Sequence, residues 1–443
     1  GNSPKPKPGQ ELEKIDRRQP KVEIAKNSSA TVSGNSTISV EVTDNADSKK
    51  QGSHPRSSGA RDLRLFRNGS LVKIWHDDVF SLDKKEGCEQ IASKQGEARR
   101  VRCQADVPLV AGDNTFTAYA FNSGNVKSND DTVSIKGGES IKKEGTLYVL
   151  AIGINKYVNA AYDLNFAVPD VTDISAALRT QQDKLAQDAK LKQYAKTEII
   201  TLADNNATKE NILLALRRFS KGGSVAVPVT GSPALNQELN KIKPTNPEDG
   251  ILIYYAGHGV ASGDRFYLLP HDFSSANLST SGLSDIELSG VLEPVDAGRM
   301  FMVIDACQSG QALGGANEGK APMNSKGLAQ LAYDKGMLIL TAAQSQQAAL
   351  EAVKIGGKEI RHGLLTYALL EALSSPAADK DGNKQLTDRE WMNYATEKVP
   401  QLQLEAMKQR HLDIQKTGRG AEIIYVKGDK NTDPNKRLLQ TPR

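Results

Sequence analysis

Residues 250–259 read GILIYYAGHG and give the clearest indication of the fold. Its first seven residues form a continuous apolar run, which is typical of a strand buried on both faces of a parallel sheet. Similar runs lie at 147–154 (LYVLAIGI), 197–202 (TEIITL), 299–306 (RMFMVIDA), 336–343 (GMLILTAA) and 421–426 (AEIIYV). Amphipathic segments lie between them at 170–183, 208–220, 285–294, 362–374 and 387–408. The alternation predicts an α/β domain whose mostly parallel sheet is flanked by helices.

The segments between these elements carry their own signals. Thr208 precedes an amphipathic run and is predicted to cap its helix. Residues 221–249 and 308–335 are rich in Gly, Pro, Asn and Lys, and we predict loops there. Long loops in a compact domain tend to be functional or disordered.

The N-terminal part of the chain has a different pattern. Between residues 21 and 137, short segments alternate apolar and polar positions and are separated by Asn, Gly and Ser, with RNGS at 67–70 as a hairpin signal. This pattern predicts an all-β, immunoglobulin-like sandwich over 21–138. No group suited to catalysis ends these strands, so we expect a packing or recognition module that can bind a protein partner.

The domain boundaries follow from these patterns. We expect a linker or cloning remnant over 1–20, the sandwich over 21–138, the α/β domain over 145–427 and a disordered tail over 428–443. Where the opening GNSPKPKPGQ stands, a natural targeting segment or a further domain could have been removed.

Composition excludes several function classes. The 443 residues include 57 basic and 53 acidic ones, mixed along the chain with a net charge of +4, so neither nucleic acid nor a membrane surface is implied as a partner. No apolar stretch reaches the roughly 18 residues that a membrane-spanning helix needs. The chain reads as soluble, with a cytoplasmic location slightly favoured and an extracytoplasmic one left open.

The cysteines narrow the chemistry further. The chain has three, Cys88, Cys103 and Cys307, with neither CxxC nor a Cys/His cluster at zinc spacing, so no structural metal site is predicted. Cys88 and Cys103 could pair across neighbouring strands or remain two reduced thiols, and the sequence leaves both readings open.

Two successive predicted strands end in reactive groups. His258, flanked by glycines, follows GILIYYA, and Cys307 follows RMFMVIDA. The carboxyl ends of parallel strands meet at one edge of a sheet, so we expect the imidazole and the thiol to share a crevice. Taken singly, a buried thiol and a loop histidine would be the more ordinary interpretation. Together they predict a nucleophile with its general base, and the amides of Gly259 and Cys307 as oxyanion donors. The sequence identifies no third partner.

These residues also carry a family resemblance. YYAGHG and DACQSG, with 49 residues between His258 and Cys307, resemble the His and Cys motifs of the caspase-like cysteine peptidases of clan CD. The resemblance extends to YVLAIGINKY, LNFAVPDVTDISAAL, FYLLPHDF and HGLLTYALLEAL, and so covers residues 145–426. The DAC motif resembles that of metacaspases, orthocaspases and their prokaryotic relatives. A β-sandwich ahead of the domain resembles the domain order of multidomain bacterial members. The resemblance implies a cysteine endopeptidase with protein or peptide substrates.

Carboxylates predict the specificity. Asp305 is two residues before Cys307 on the same strand, so it points to the same face and plausibly into the first specificity pocket. Asp170 matches the position where metacaspases place a second pocket acid. Together they imply Arg or Lys at P1, with Arg gaining from paired hydrogen bonds. Their alternative roles are a structural hydrogen-bond acceptor and a first-turn helix residue. Metacaspases commonly have Ser before GHG, whereas this chain has Ala256, which makes the pocket less polar.

Two loops suggest regulation. Lys320 and Lys326 follow the nucleophile, and a protease of basic specificity could cut itself there. Residues 379–390 (DKDGNKQLTDRE) place Asp379, Asp381, Asn383 and Glu390 at positions 1, 3, 5 and 12 of a calcium loop. Position 6, which requires Gly, is Lys384, so a surface turn followed by a Thr387/Glu390 capping box is the favoured reading. The chemistry itself requires no cofactor, and calcium is expected at most as an activator.

Two other function classes stay open. One is a catalytically silent scaffold with a caspase-like fold, against which the intact His258 and Cys307 speak. The other is a clan CD peptidase with a different P1 preference. A pocket containing Asp305 would repel an acidic P1 side chain, which disfavours Asp specificity.

Overall fold

The computed structural model describes residues 16–25, 34–45, 57–92, 97–188, 192–223, 232–262, 265–308, 325–342, 353–355 and 358–417. The chain divides into two units, Gly1–Lys143 with Asn246–Glu248, and Glu144–Thr245 with Asp249–Arg443.

The first unit is built of antiparallel strands. Its strands β1 to β8 are Lys21–Ile24, Asn35–Thr43, Arg61–Arg67, Ser70–Asp78, Cys88–Ile91, Arg100–Pro108, Gly112–Phe121 and Asp131–Gly137. They form two four-stranded sheets, in the orders β1-β2-β6-β5 and β4-β3-β7-β8, which contribute to one hydrophobic core. The expected hairpin joins β3 to β4, with Asn68 and Gly69 at φ of 51° and 85°, the left-handed turn that such a hairpin needs. An all-β unit is confirmed, and its immunoglobulin-like character stays a prediction.

A disulfide links the two cysteines of this unit. Cys88 on β5 lies directly opposite Cys103 on β6, and the two sulfur atoms are bonded. Both residues are buried in the core of the unit. The structure thus decides between the two readings that the sequence leaves open.

The second unit alternates strands with helices. Strands β9 to β17 are Gly145–Gly153, Tyr194–Ala203, Gly250–Ser262, Arg265–Leu269, Leu283–Ser284, Arg299–Gln308, Leu338–Thr341, Val353–Ile355 and Lys358–Ile360. Helices α1 to α8 are Ala167–Leu185, Lys209–Arg217, Pro233–Asn240, Leu278–Ser281, Asp285–Leu292, Ser325–Lys335, Leu364–Ala372 and Asp388–Thr417. Strands β10, β9, β11, β14 and β15 pair in parallel, and β12 and β13 extend the sheet in antiparallel fashion.

Strand β11 is the centre of this sheet. Residues 250–256 pair with β9 on one side, residues 250–259 pair with β14, and residues 258–262 pair with β12. The change of partner from β9 to β12 therefore falls at 257–258. A parallel strand with neighbours on both sides and helices above and below must be apolar throughout, which explains the unbroken run GILIYYA.

Both faces of the sheet are covered, as predicted. Alternate residues of β14 point to opposite faces, with Met302 and Ile304 in a core shared with α2, α3, α5 and α6. Val303 lies in a second core shared with α1, α7 and α8. Asp305, near the end of β14, lies on the same face as Val303 and bonds Thr366 of α7.

The structure differs from the predicted loops in two places. The two predicted loops contain helices, α3 within 221–249 and α6 within 308–335. Ser232 caps α3 by accepting a bond from the N–H of Leu235, with Pro233 at the first helical position, and GSPALNQEL carried that signal. The predicted strand at 421–426 and the predicted tail lie outside the described residues. Thr208 caps α2 as expected, accepting a bond of 3.3 Å from Asn211 N–H.

Candidate active site

The structure brings the predicted nucleophile and base together on adjacent strands. His258 on β11 is paired directly with Cys307 on β14 in parallel register. Paired backbones in a sheet lie about 5 Å apart, so the two side chains start from neighbouring points. The side chain of Cys307 lies outside what the structure describes. Both residues were predicted to follow their strands, which was wrong, because β11 continues to Ser262 and β14 to Gln308.

The imidazole of His258 is oriented by a main-chain acceptor. Its Nε2 lies 2.9 Å from the carbonyl oxygen of Tyr162. A carbonyl can only accept, so Nε2 carries the proton and the lone pair of the neutral ring is on Nδ1. Burial lowers the pKa of His258, and the Tyr162 carbonyl opposes this shift only in part. The ring is thus held as a neutral base. Every residue has a main-chain carbonyl, so the sequence could not indicate which one accepts the bond from His258.

Two tyrosine hydroxyls hold the backbone of the same residue. The N–H of His258 donates to Oη of Tyr157 at 2.9 Å, and Oη of Tyr255 lies 2.8 Å from the carbonyl oxygen of His258. These contacts occur where β11 changes its partner from β9 to β12, and the hydroxyls serve backbone groups at that break. Gly257 is required here, because a Cβ atom would lie 2.7 Å from Oη of Tyr255 and 3.0 Å from Oη of Tyr157.

The connection between β9 and α1 supplies these contacts and is itself held by carboxylates. Asp204 accepts bonds of 2.8 Å from the N–H groups of Asn155 and Lys156. Asp163 accepts a bond of 3.0 Å from the N–H of Tyr157, and its other oxygen pairs with Nζ of Lys156 at 2.8 Å. The segment that orients the imidazole is therefore fixed at several points of its main chain.

Gly259, the predicted oxyanion donor, lies in the ladder between β11 and β14. It is paired with Gln308, one residue beyond the cysteine. A Cβ at this position would lie 3.2 Å from the ring of Phe266 and 3.3 Å from Cβ of Ala306, so glycine also allows tight packing. Its oxyanion role stays a prediction.

Asp305 is buried next to the dyad. Its Oδ2 accepts bonds from the N–H and the hydroxyl of Thr366, at 3.2 and 2.5 Å. The hydroxyl of Thr366 also bonds that of Tyr254, whose pKa is raised far above its ordinary range by burial. Ala256 lies opposite Asp305 in the register, so the replacement of serine by alanine does adjoin this carboxylate.

Asp170 lies in the same neighbourhood but faces a histidine. Its Oδ1 is 2.7 Å from Nδ1 of His362, and its Oδ2 accepts a bond of 3.2 Å from the N–H of Gly363. A Cβ on Gly363 would lie 2.4 Å from Oδ2 of Asp305, so both acids converge on this glycine. Burial raises the pKa of Asp170, and the hydrogen bond to Asp170 raises the pKa of His362. The sequence interpretation missed His362, although a titratable residue directly before a helix next to the pocket was a usable signal.

The calcium-like loop has the backbone of such a site in part. Carboxylate oxygens of Asp379, Asp381 and Glu390 lie within 4.8 Å of one another. Lys384, at the position that calls for glycine, has φ of 64° and so adopts the left-handed conformation. Glu390 is already engaged in the predicted capping box: its carboxylate accepts a bond of 3.0 Å from the N–H of Thr387, and its own N–H donates to the Thr387 hydroxyl at 3.2 Å. A calcium ion would compete with this cap for the same carboxylate, and calcium binding stays a prediction.

The two lysines predicted for self-cleavage have different settings. Lys320 lies outside the described residues, whereas Lys326 is the second residue of α6. Peptidases bind substrates in extended form, so a cut after Lys326 would require the first turn of this helix to unwind.

Among the helices that the structure describes, none is long and apolar enough to cross a membrane.

Comparison with known proteins gives a match to one family model. Residues 233–411 match the family model of the caspase domain, a range that includes His258, Cys307 and His362 but not Asp170. No curated protein matches the chain significantly.

Similar solved structures give no further information. They include Astrotactin-2, a vertebrate perforin-like membrane protein (12% identity, 40% of this chain, 28% of that chain, TM-score 0.20). They also include the SrpA adhesin of Streptococcus sanguinis (15% identity, 38% and 80%, TM-score 0.14) and a Bacillus cereus polysaccharide deacetylase (9% identity, 65% and 70%, TM-score 0.15). Scores this low carry no weight for the fold. The family match stands by itself: residues 233–411 match the caspase domain, which supports a caspase-like cysteine peptidase of clan CD.

Proposed function

We propose that this protein is a cysteine endopeptidase that hydrolyses peptide bonds after Arg or Lys, with Cys307 as nucleophile and His258 as general base. The observation that carries the proposal is the pairing of the two residues across β11 and β14, with the imidazole oriented by the carbonyl of Tyr162. Of the caspase-like peptidases, we infer a relation to metacaspases and to multidomain bacterial members, from the DAC motif and the preceding all-β unit.

The proposed reaction follows from the tautomer of His258. Nδ1 takes the proton of the Cys307 thiol as the sulfur attacks the carbonyl carbon of the scissile bond. The negative charge moves to the carbonyl oxygen, for which the amides of Gly259 and Cys307 are the proposed donors. When the tetrahedral intermediate collapses, the C–N bond breaks and the imidazolium protonates the leaving amine. Water then hydrolyses the thioester, with the same imidazole as base, and releases the free acid and thiol.

Basic specificity is supported by the buried carboxylates. Asp305 and Asp170 converge on Gly363, beside strand β14, which contains Cys307. Two carboxylates in a desolvated place favour a cation there, and a guanidinium can bond both. Ala256 lacks the hydroxyl of the serine that metacaspases have at this position, but its methyl group is too small to exclude a cation from the pocket.

Self-processing and partner binding complete the proposal. We infer cleavage after Lys320 in preference to Lys326, since the latter lies in a helix. Mass spectrometry of the purified chain beside Cys307→Ala tests this: an intact wild-type chain under conditions of full peptidase activity would exclude it. For the all-β unit we propose an immunoglobulin-like recognition role, testable by whether deleting residues 21–138 changes protein substrates but spares short peptides.

Calcium is proposed only as an activator at residues 379–390, with no part in the chemistry. Titration of calcium into a chelator-treated sample should then raise peptidase activity, and Asp379→Asn should shift the midpoint to higher calcium. Equal activity with calcium and with chelator would remove the proposal.

A panel of fluorogenic peptides with Arg, Lys, Asp and Asn at P1 tests the function. We expect cleavage after Arg and Lys, and loss of at least about a thousandfold in Cys307→Ala and His258→Ala. His76→Ala is the matched control, since this histidine lies in the first unit. If no peptide is cut, with or without calcium, and an electrophilic Arg ketone does not label Cys307, the chain is a caspase-fold scaffold. Cleavage confined to Asp or Asn would leave a clan CD peptidase of other specificity.

A further inference from the structure

His362 is the titratable residue that the structure places on the acids of the proposed P1 pocket. Its Nδ1 is 2.7 Å from Oδ1 of Asp170, and its Nε2 is 3.4 Å from Oδ2 of Asp173. The next residue, Gly363, donates its N–H to Asp170 and touches Asp305. Histidine thus occupies the place that a basic substrate side chain would have to enter.

Exposure shows from which side this place can be reached. The side chain of Asp170 is 5% exposed and Asp305 as a residue is 8% exposed, whereas the side chain of His362 is 21% exposed and that of Asp173 is 54% exposed. Among the residues that the structure describes in this group, the imidazole is therefore more exposed than the acid with which it pairs. A guanidinium or ammonium group can bond Asp170 only if the imidazole moves or shares the carboxylate.

We propose that His362 is a specificity-determining residue, a resident cation that competes with the P1 side chain for Asp170. This inference rests on the proposed basic specificity and adds its regulation. Because the competitor is titratable, the competition depends on pH: an imidazolium opposes the P1 cation by charge and by position, and a neutral imidazole by position alone. Affinity for a P1 Arg substrate should therefore rise with pH.

The groups that face His362 all act in the same sense. From α1 these are Asp170 and Asp173, from β14 Asp305, which itself adjoins Tyr254 on β11. The hydrogen bond to Asp170 raises the pKa of His362, so the imidazolium persists to higher pH than in a free histidine. Burial raises the pKa of Asp170, so lowering the pH also weakens its attraction for a cation. Both effects raise KM as the pH falls.

Two substitutions separate charge from structure. His362→Gln keeps a neutral N–H donor for Asp170, and at pH 6 KM for a P1 Arg peptide should fall by about fivefold, the effect of one partly screened charge pair. His362→Lys makes the cation permanent, and KM at pH 8 should rise by about the same factor. In both variants the rise of affinity with pH should be reduced, while kcat stays within about twofold. His76→Gln, on β4 of the first unit, is the matched control.

A binding measurement makes the test independent of activity. Agmatine, which carries the guanidinium of an arginine side chain, is titrated into the Cys307→Ala chain while the imidazole signals are followed by NMR, with His362→Gln assigning the resonance. We expect agmatine to shift the His362 resonance and to bind more tightly at pH 8 than at pH 6. Agmatine binding that leaves this resonance unmoved, or Gln and Lys variants that change KM in the same direction, would overturn the inference. If peptides with Arg and Lys are not cut but agmatine displaces His362, the proposed peptidase function fails and the pocket assignment stands.

Discussion

The hydroxyl of Tyr157 should be required to hold His258, the proposed general base, in place. Tyr157→Phe removes the acceptor that lies 2.9 Å from the N–H of His258 and keeps the ring, whose centroid is 5.2 Å from that of the imidazole. A partly buried N–H left without its acceptor costs about 1–2 kcal/mol. If this cost appears as misorientation of the imidazole in the transition state, about 1.4 kcal/mol corresponds to a tenfold lower kcat.

The measurement is kcat and KM on a P1 Arg peptide, together with thermal unfolding. We expect kcat to fall about tenfold, KM to stay within about twofold, and the melting temperature to fall by about 2–8 °C, since each kcal/mol shifts a unit of this size by about 2–4 °C. Tyr267→Phe on β12 is the control, because Tyr267 takes no part in the contacts described around His258. A kcat within about twofold of wild type, or an equal fall in the control, would refute a positioning role for this hydroxyl.

Three further outcomes follow from the structure. Burial disfavours the imidazolium of His258 and so lowers its pKa. As the pH falls, kcat at saturating substrate should therefore stay constant and be half lost only below about pH 6.5. A midpoint of this loss above about pH 7 would contradict the prediction. Thr366→Val removes the hydroxyl donor of 2.5 Å to Asp305 in a fully buried place, and urea unfolding should show a loss of about 1.5–3 kcal/mol; an unchanged midpoint would show that this bond contributes nothing net. Cys88 and Cys103 are 15 residues apart, so reducing their disulfide should destabilise the first unit by about 3 kcal/mol. Calorimetry with and without reductant should show a lower unfolding temperature for that unit in the reduced sample. An unfolding temperature that does not change would count against the disulfide in solution.

The fold of the second unit was largely readable from residues 250–259 and 299–306, because unbroken apolar runs separated by amphipathic helices have few other solutions. The sequence also predicted that His258 and Cys307 lie close together, because a parallel sheet brings successive strands side by side. Their pairing across β11 and β14 agrees with that expectation, and their catalytic role stays a prediction. The hairpin at Asn68 and Gly69 and the cap at Thr208 depend on local backbone preferences alone, and both formed as expected.

Contacts distant in sequence needed the tertiary structure. The acceptor for His258 is a main-chain carbonyl 96 positions away, and no side chain marks it. The pairing of Asp170 with His362 joins residues 192 apart through the packing of α1 against the start of α7, which no local pattern encodes. The disulfide likewise required the register of β5 against β6. Periodicity and turn chemistry are local signals, so most strands and helices of the described residues could be predicted from the sequence. The partners of His258, Asp170 and Cys88 depend on how distant elements pack, so they could be found only in the folded chain.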